Sequence, residues 1–110
     1  MKSMPEKFVC QPELNHARVG ERVTALRQAL AKTKAQFADE LGLDRSTLSK
    51  IEQGNKGLDI AVGVRIADLY GAGLDYTYRG TMTDAPETLR VQIIAEINAA
   101  RMAKATIERA

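Results

Sequence analysis

The sequence predicts an all-α protein in which five short helices form one small domain and a longer helix follows them. Three observations support this prediction. Apolar residues recur at helical spacing through most of the chain. Capping residues and glycines divide its central part into short segments. The single, weak strand signal is the segment KFVCQ at residues 7–11.

The first predicted helix begins near Asn15 and carries one apolar stripe. The stripe consists of Val19, Val23, Leu26 and Leu30. A second helix begins after Thr33, because Thr33 and Gln36 have the spacing of a capping box, in which each side chain bonds the other residue's backbone amide. This helix ends at Gly42, since glycine readily adopts the left-handed conformation found after helix ends.

Three more elements complete the predicted domain. Asp44 is the expected N-cap of a third helix, which Gly54 ends. Asp59 is the expected cap of a fourth helix that is apolar over most of its circumference, so we expect this helix to be buried. Residues 74–78 form a last turn that ends at Gly80.

One long helix is predicted from residue 86 to residue 108, where the chain contains no glycine and many alanines. Its apolar residues partly follow the spacing of a coiled coil, although Lys104 interrupts the stripe. Such a stripe must be covered, either by a second copy of the chain or by the chain's own domain. We take dimerisation as the first expectation, and the expected contacts are Leu89, Ile93, Ile97 and Ile107. The chain then divides into an N-terminal arm (1–14), a main domain (15–80) and a linker with the dimerisation helix (81–110).

Composition excludes several classes of protein. The 110 residues have a formal net charge of +2, and no apolar stretch approaches the ~20 residues needed to span a membrane. One cysteine, Cys10, and one histidine, His16, leave few groups for a metal site or for nucleophilic catalysis. We therefore expect a cytoplasmic protein that is not an enzyme and needs neither metal nor cofactor.

The second and third helices, joined by a sharp turn at Gly42, have the geometry of a helix-turn-helix motif. Leu48 and Ile51 lie three residues apart and define the inner face of the third helix. Its outer face presents side chains that form hydrogen bonds, on a helix narrow enough for the major groove of DNA. These side chains are Arg45, Ser46, Ser49 and Lys50.

The segment FADELGLDRSTLSKIEQG resembles the signature of the XRE helix-turn-helix family, which includes the Cro and cI phage repressors, and YGAGLDYTYRG resembles the usual end of that domain. The resemblance covers residues 18–80 and implies a five-helix, lambda-repressor-like fold. It implies that the outer-face residues named above read DNA bases. It further implies a structural ion pair between Arg27 and Glu52. The DNA backbone contacts it implies are Lys34, Gln53, Asn55 and Lys56.

The expected function is therefore that of a sequence-specific transcriptional regulator that binds double-stranded DNA. Repression is the default mechanism, with a homodimer placing two recognition helices on an inverted-repeat operator. The alternative is an antitoxin-like or other protein-interaction module, whose C-terminal helix binds a partner protein and whose DNA binding serves autoregulation.

Overall fold

The computed structural model describes residues 15–83 and 85–109, and it describes side chains in the last helix only as far as residue 105. The expected N-terminal arm at 1–14 lies outside these residues. The described chain is helical and contains no strand, which confirms the all-α class. Its elements are α1 (His16–Ala29), α2 (Lys34–Leu41), α3 (Arg45–Glu52), α4 (Ile60–Tyr70), a π-helical turn (Asp75–Arg79) and α5 (Glu87–Arg109).

The predicted caps around α2 and α3 are present. Thr33 Oγ1 accepts a hydrogen bond from Gln36 N at 3.1 Å, and Thr33 N donates to Gln36 Oε1 at 3.0 Å, so the capping box is complete. Gly42 follows α2 with φ of +73°, in the left-handed region. The carboxylate of Asp44 accepts from Thr47 N at 3.2 Å. These bonds fix the sharp turn between the two short helices.

One core joins the helices, and α1 lies at its centre, in contact with α3, the π-helical turn and α5. The most deeply buried side chains come from every element. They include Val23, Leu26, Phe37, Leu41, Leu48, Ile51, Ile66, Tyr76 and Ile93. The Tyr76 hydroxyl also donates a hydrogen bond to the backbone carbonyl of Arg22, which attaches the π-helical turn to α1. None of the described helices is long and apolar enough to cross a membrane.

The prediction that α4 is a buried helix was wrong. Gly63 and Ile66 are its two buried residues, because α4 packs on one side only, mainly against α2. Asp59 occupies the N-cap position as predicted, but its side chain makes no capping hydrogen bond. Three large apolar residues of this helix are exposed: Ile60, Val64 and Leu69.

The long helix α5 packs against α1 of its own chain. Leu89 and Ile93 are 8% and 0% exposed and belong to the common core, and Ile97 is half-buried against it. The expectation that Leu89 and Ile93 contact a second copy is therefore corrected, because packing against α1 already covers them, and Ile97 is partly covered in the same way. The fourth expected contact, the side chain of Ile107, lies outside the described residues.

Candidate nucleic-acid interface

The short helix α3 separates an apolar inner face from a polar outer face. Leu48 and Ile51 are 0% and 2% exposed and pack into the core. Because a helix turns by about 100° per residue, burial of these two positions directs the side chains on the opposite face of α3 away from the core. The outward residues include all four predicted base contacts, of which three are exposed and Ser49 is half-buried.

Backbone packing fixes the position of α3 on α1. A Cβ atom on Gly20 would lie 2.4 Å from the carbonyl oxygen of Ile51, so only glycine allows α1 and the end of α3 to approach this closely. Gly54, with φ of +82°, follows α3, and a Cβ atom there would lie 2.8 Å from Ala17 Cα. These close backbone contacts set the position of α3 against α1.

An ion pair between Arg27 and Glu52 adds a polar link between α1 and α3. Arg27 Nε lies 2.8 Å from Glu52 Oε2, and Arg27 Nη2 donates to Glu52 Oε1 at 3.2 Å. Arg27 Nη1 also donates to the backbone carbonyl of Lys32 at 3.0 Å. The two side chains are only 12% and 4% exposed. The structure thus contains the expected ion pair, and the same guanidinium also holds the loop between α1 and α2.

The structure brings the first residue of α2 onto the outer face of α3. Lys34 Nζ donates a hydrogen bond to Ser49 Oγ at 3.3 Å. A residue expected to contact the DNA backbone and one expected to contact a DNA base therefore share one surface. Ser46 Oγ donates to Asp44 Oδ2 at 3.4 Å. Hydrogen bonds from the side chain and the backbone of Thr47 lower the pKa of Asp44 from its ordinary value. Both serine oxygens can still accept a further hydrogen bond from a base edge.

The loop after α3 carries the other residues that are expected to contact the DNA backbone. Gln53, Asn55 and Lys56 are all exposed, and Asn55 Nδ2 donates to Gln53 Oε1 at 3.4 Å. Asn55 N donates to the carbonyl oxygen of Lys50 at 2.9 Å, which caps the end of α3. The loop therefore displays three polar side chains beside the exposed face of the helix.

Comparison with known protein families decides the identity of this domain. A family model described as a helix-turn-helix domain matches residues 18–77, which is more than half of the chain. The chain belongs to this helix-turn-helix domain family. The match is consistent with the XRE-like resemblance, and it runs from α1 into the π-helical turn without reaching α5. Comparisons with curated proteins and with solved structures found no significant match.

A helix-turn-helix domain points to a DNA-binding regulator, and such domains are typically not enzymes. The chemistry of the domain agrees with this class of function. Four of the expected DNA contacts carry positive charge and match the phosphates of a duplex: Lys34, Arg45, Lys50 and Lys56. Among the described residues, no three His, Cys, Asp or Glu side chains are grouped so that they could hold a metal ion.

The sequence did not reveal one residue that supports the turn between α2 and α3. Arg65 of α4 donates from Nη1 to the carbonyl oxygen of Leu41 at 2.8 Å, and the same nitrogen lies 2.6 Å from the position of a Cβ atom on Gly42. It therefore satisfies a backbone group at the end of α2. No local pattern marks this role, because Arg65 lies 24 residues along the chain from the carbonyl that it binds.

Proposed function

We propose that the protein is a sequence-specific transcriptional regulator that reads double-stranded DNA with the outer face of α3. The observation that carries this proposal is the division of α3 into a fully buried apolar face and an exposed hydrogen-bonding face. In the major groove, Arg45 and Lys50 are suited to the O6 and N7 acceptors of guanine. Ser46 and Ser49 donate to, or accept from, neighbouring base edges.

In this proposal, residues on both sides of α3 contact the DNA backbone. Lys34 lies beside the outer face through its bond to Ser49, and Lys56 lies on the loop after the helix. Gln53 and Asn55 are uncharged donors on the same loop. Contacts of these types hold the protein in register on the duplex and carry no sequence information of their own.

A homodimer on an inverted-repeat operator is the second part of the proposal, and occlusion of a promoter is the mechanism of repression that follows from it. The dimer contact cannot be the Leu89 and Ile93 stripe, which is buried within one chain. The outward side of α5 supports a different contact, because Val91 and Ile94 are 63% and 47% exposed. A second copy that covered these side chains would remove apolar surface from water.

Selection of bound fragments from random double-stranded DNA tests both parts. The wild-type chain is expected to enrich two half-sites in inverted orientation, about 10 to 10.5 base pairs apart or at a multiple of that spacing. The double variant Arg45→Ala, Lys50→Ala is the control and is expected to enrich a weaker motif that lacks the preference at two base positions of each half-site. A single enriched half-site would support base reading by α3 and refute the dimer. An absence of enrichment by the wild-type chain would refute the proposed function.

A further inference from the structure

A surface groove lies between the loop after α3 and the distal half of α5. It starts next to Gln53, one of the expected DNA backbone contacts, and extends along the first turns of α1. Its lining combines three elements that are far apart in sequence. The lining residues are Ala17, Arg18, Glu21, Gln53, Arg101 and Lys104.

The groove carries an excess of positive charge. Among the described residues that line it, the only anion is Glu21, which is bound by Arg101 through two hydrogen bonds of 3.1 and 3.2 Å, so these two charges offset each other. Arg18 and Lys104 are exposed, and neither forms an ion pair within the described residues. Two full positive charges therefore face solvent beside the loop that follows the recognition helix.

We propose that this groove binds DNA phosphates that flank the bases read by α3, with Arg18 and Lys104 as the two phosphate contacts. The inference rests on the proposed function, because it takes the outer face of α3 to lie in the major groove. Gln53 connects the two surfaces, so a duplex backbone that reaches this loop passes next to the groove. Phosphates are strong acceptors for both side chains and supply much of the affinity of DNA-binding proteins.

The lining favours DNA over an acidic protein segment as the occupant. Specific protein interfaces usually have an apolar centre with aromatic or aliphatic anchors. Ala17 is the only apolar residue among the six that line the groove. A groove whose side chains are mostly polar or charged, with more cations than anions, and that continues the surface of α3 instead fits a strand of phosphates.

The proposal gives α5 a second role in addition to its place in the core. Its buried face holds Leu89 and Ile93 against α1, which sets the position of the distal turns that carry Arg101 and Lys104. Arg101 is then a positioning residue, since its bond to Glu21 ties α5 to α1 at the wall of the groove. The phosphate contact proposed for Lys104 lies outside the matched helix-turn-helix segment, which ends at residue 77.

The experiment measures how affinity for the selected DNA site depends on salt between 50 and 200 mM. Each lost phosphate contact reduces the slope of log K against log salt by about 0.9. The advantage of the wild type over Lys104→Ala, or over Arg18→Ala, is therefore expected to be about 3.5-fold larger at 50 mM than at 200 mM. For the double variant Arg18→Ala, Lys104→Ala, the advantage of the wild type is expected to be about 12-fold larger at 50 mM than at 200 mM. Circular dichroism verifies that each variant is folded.

Arg79→Ala is the matched control. This substitution also removes one positive charge, and Arg79 is exposed and lies outside the groove. It is expected to keep the wild-type slope. Trimming the DNA so that its ends no longer reach the groove should remove the difference between wild type and the groove variants. Wild-type slopes in the groove variants would overturn the inference, even where Lys50→Ala still loses affinity. An equal loss of slope in Arg79→Ala would also overturn it, and a wild-type chain that binds no DNA would overturn both proposals.

Discussion

Removing either partner of the Arg27–Glu52 ion pair is expected to destabilise the domain strongly and unequally. Breaking a buried ion pair on one side typically costs about 3 to 5 kcal/mol, because it leaves the other charge buried without its partner. Arg27→Met belongs at the upper end of that range. It leaves the carboxylate of Glu52, which is 4% exposed, without both of its bonds to Arg27, and it leaves the Lys32 carbonyl without a donor.

Glu52→Ala belongs at the lower end of the range. The stranded guanidinium keeps its 3.0 Å bond to the Lys32 carbonyl and is 12% exposed, so part of its charge is still solvated. The double variant removes both charges, and we expect its loss to be smaller than the sum of the single losses by about 1 to 3 kcal/mol.

A double-mutant cycle in urea, with the free energy of unfolding measured for all four proteins, provides the assay. The pair formed by Lys32 and Glu40 is a matched control, because its 2.9 Å contact is similar but its side chains are 26% and 39% exposed. Its coupling is expected to be much smaller, as for surface pairs in general. Additive effects of Arg27→Met and Glu52→Ala, or equal couplings for the two pairs, would refute the structural role of this ion pair.

Three further predictions concern packing and caps. Ile93→Ala, at a fully buried site, should lower the free energy of unfolding by about 2 to 5 kcal/mol and leave the sedimentation coefficient unchanged; a shift in oligomeric state without loss of stability would contradict intramolecular packing of α5. Gly20→Ala should cost about 1 to 3 kcal/mol in thermal unfolding because the new methyl group meets the Ile51 carbonyl, and a neutral result would contradict the close approach of α1 and α3. Hydrogen bonds from Thr47 hold the pKa of Asp44 below its ordinary 3.8, so its stabilising effect is present above pH 3.8 and is lost as the pH falls through its lower folded-state pKa. In acid denaturation, Asp44→Asn should therefore lack this part of the pH dependence; identical profiles would contradict the prediction.

Local signals in the sequence predicted the helix-turn-helix well. A capping box depends on two residues three positions apart, as at Thr33 and Gln36, and a left-handed turn depends on one glycine, as at Gly42. The inner face of α3 follows in the same way from Leu48 and Ile51. Because the inner face determines the outer one, the candidate DNA-reading residues could be identified without a structure.

Interactions between distant elements could not be predicted in this way. Helical periodicity shows that Leu89 and Ile93 share a face, but it does not show whether α1 or a second copy covers them. It also gave no sign that α4 packs on one side only and leaves Val64 in solvent. The bonds from Arg65 to Leu41 and from Lys34 to Ser49 depend on the final arrangement of the helices, so no sequence window contains both partners in a recognisable pattern.

The central claim is that the outer face of α3 reads DNA bases, and affinity measurements on a selected site test it most directly. Arg45→Ala and Lys50→Ala should each weaken specific binding by about 1 to 3 kcal/mol and relax the preference at one base position. Lys56→Ala, a phosphate contact, should weaken binding to all sequences alike and reduce the salt slope by about 0.9. Unchanged affinity and unchanged base preference in both Arg45→Ala and Lys50→Ala would show that α3 is not the reading element.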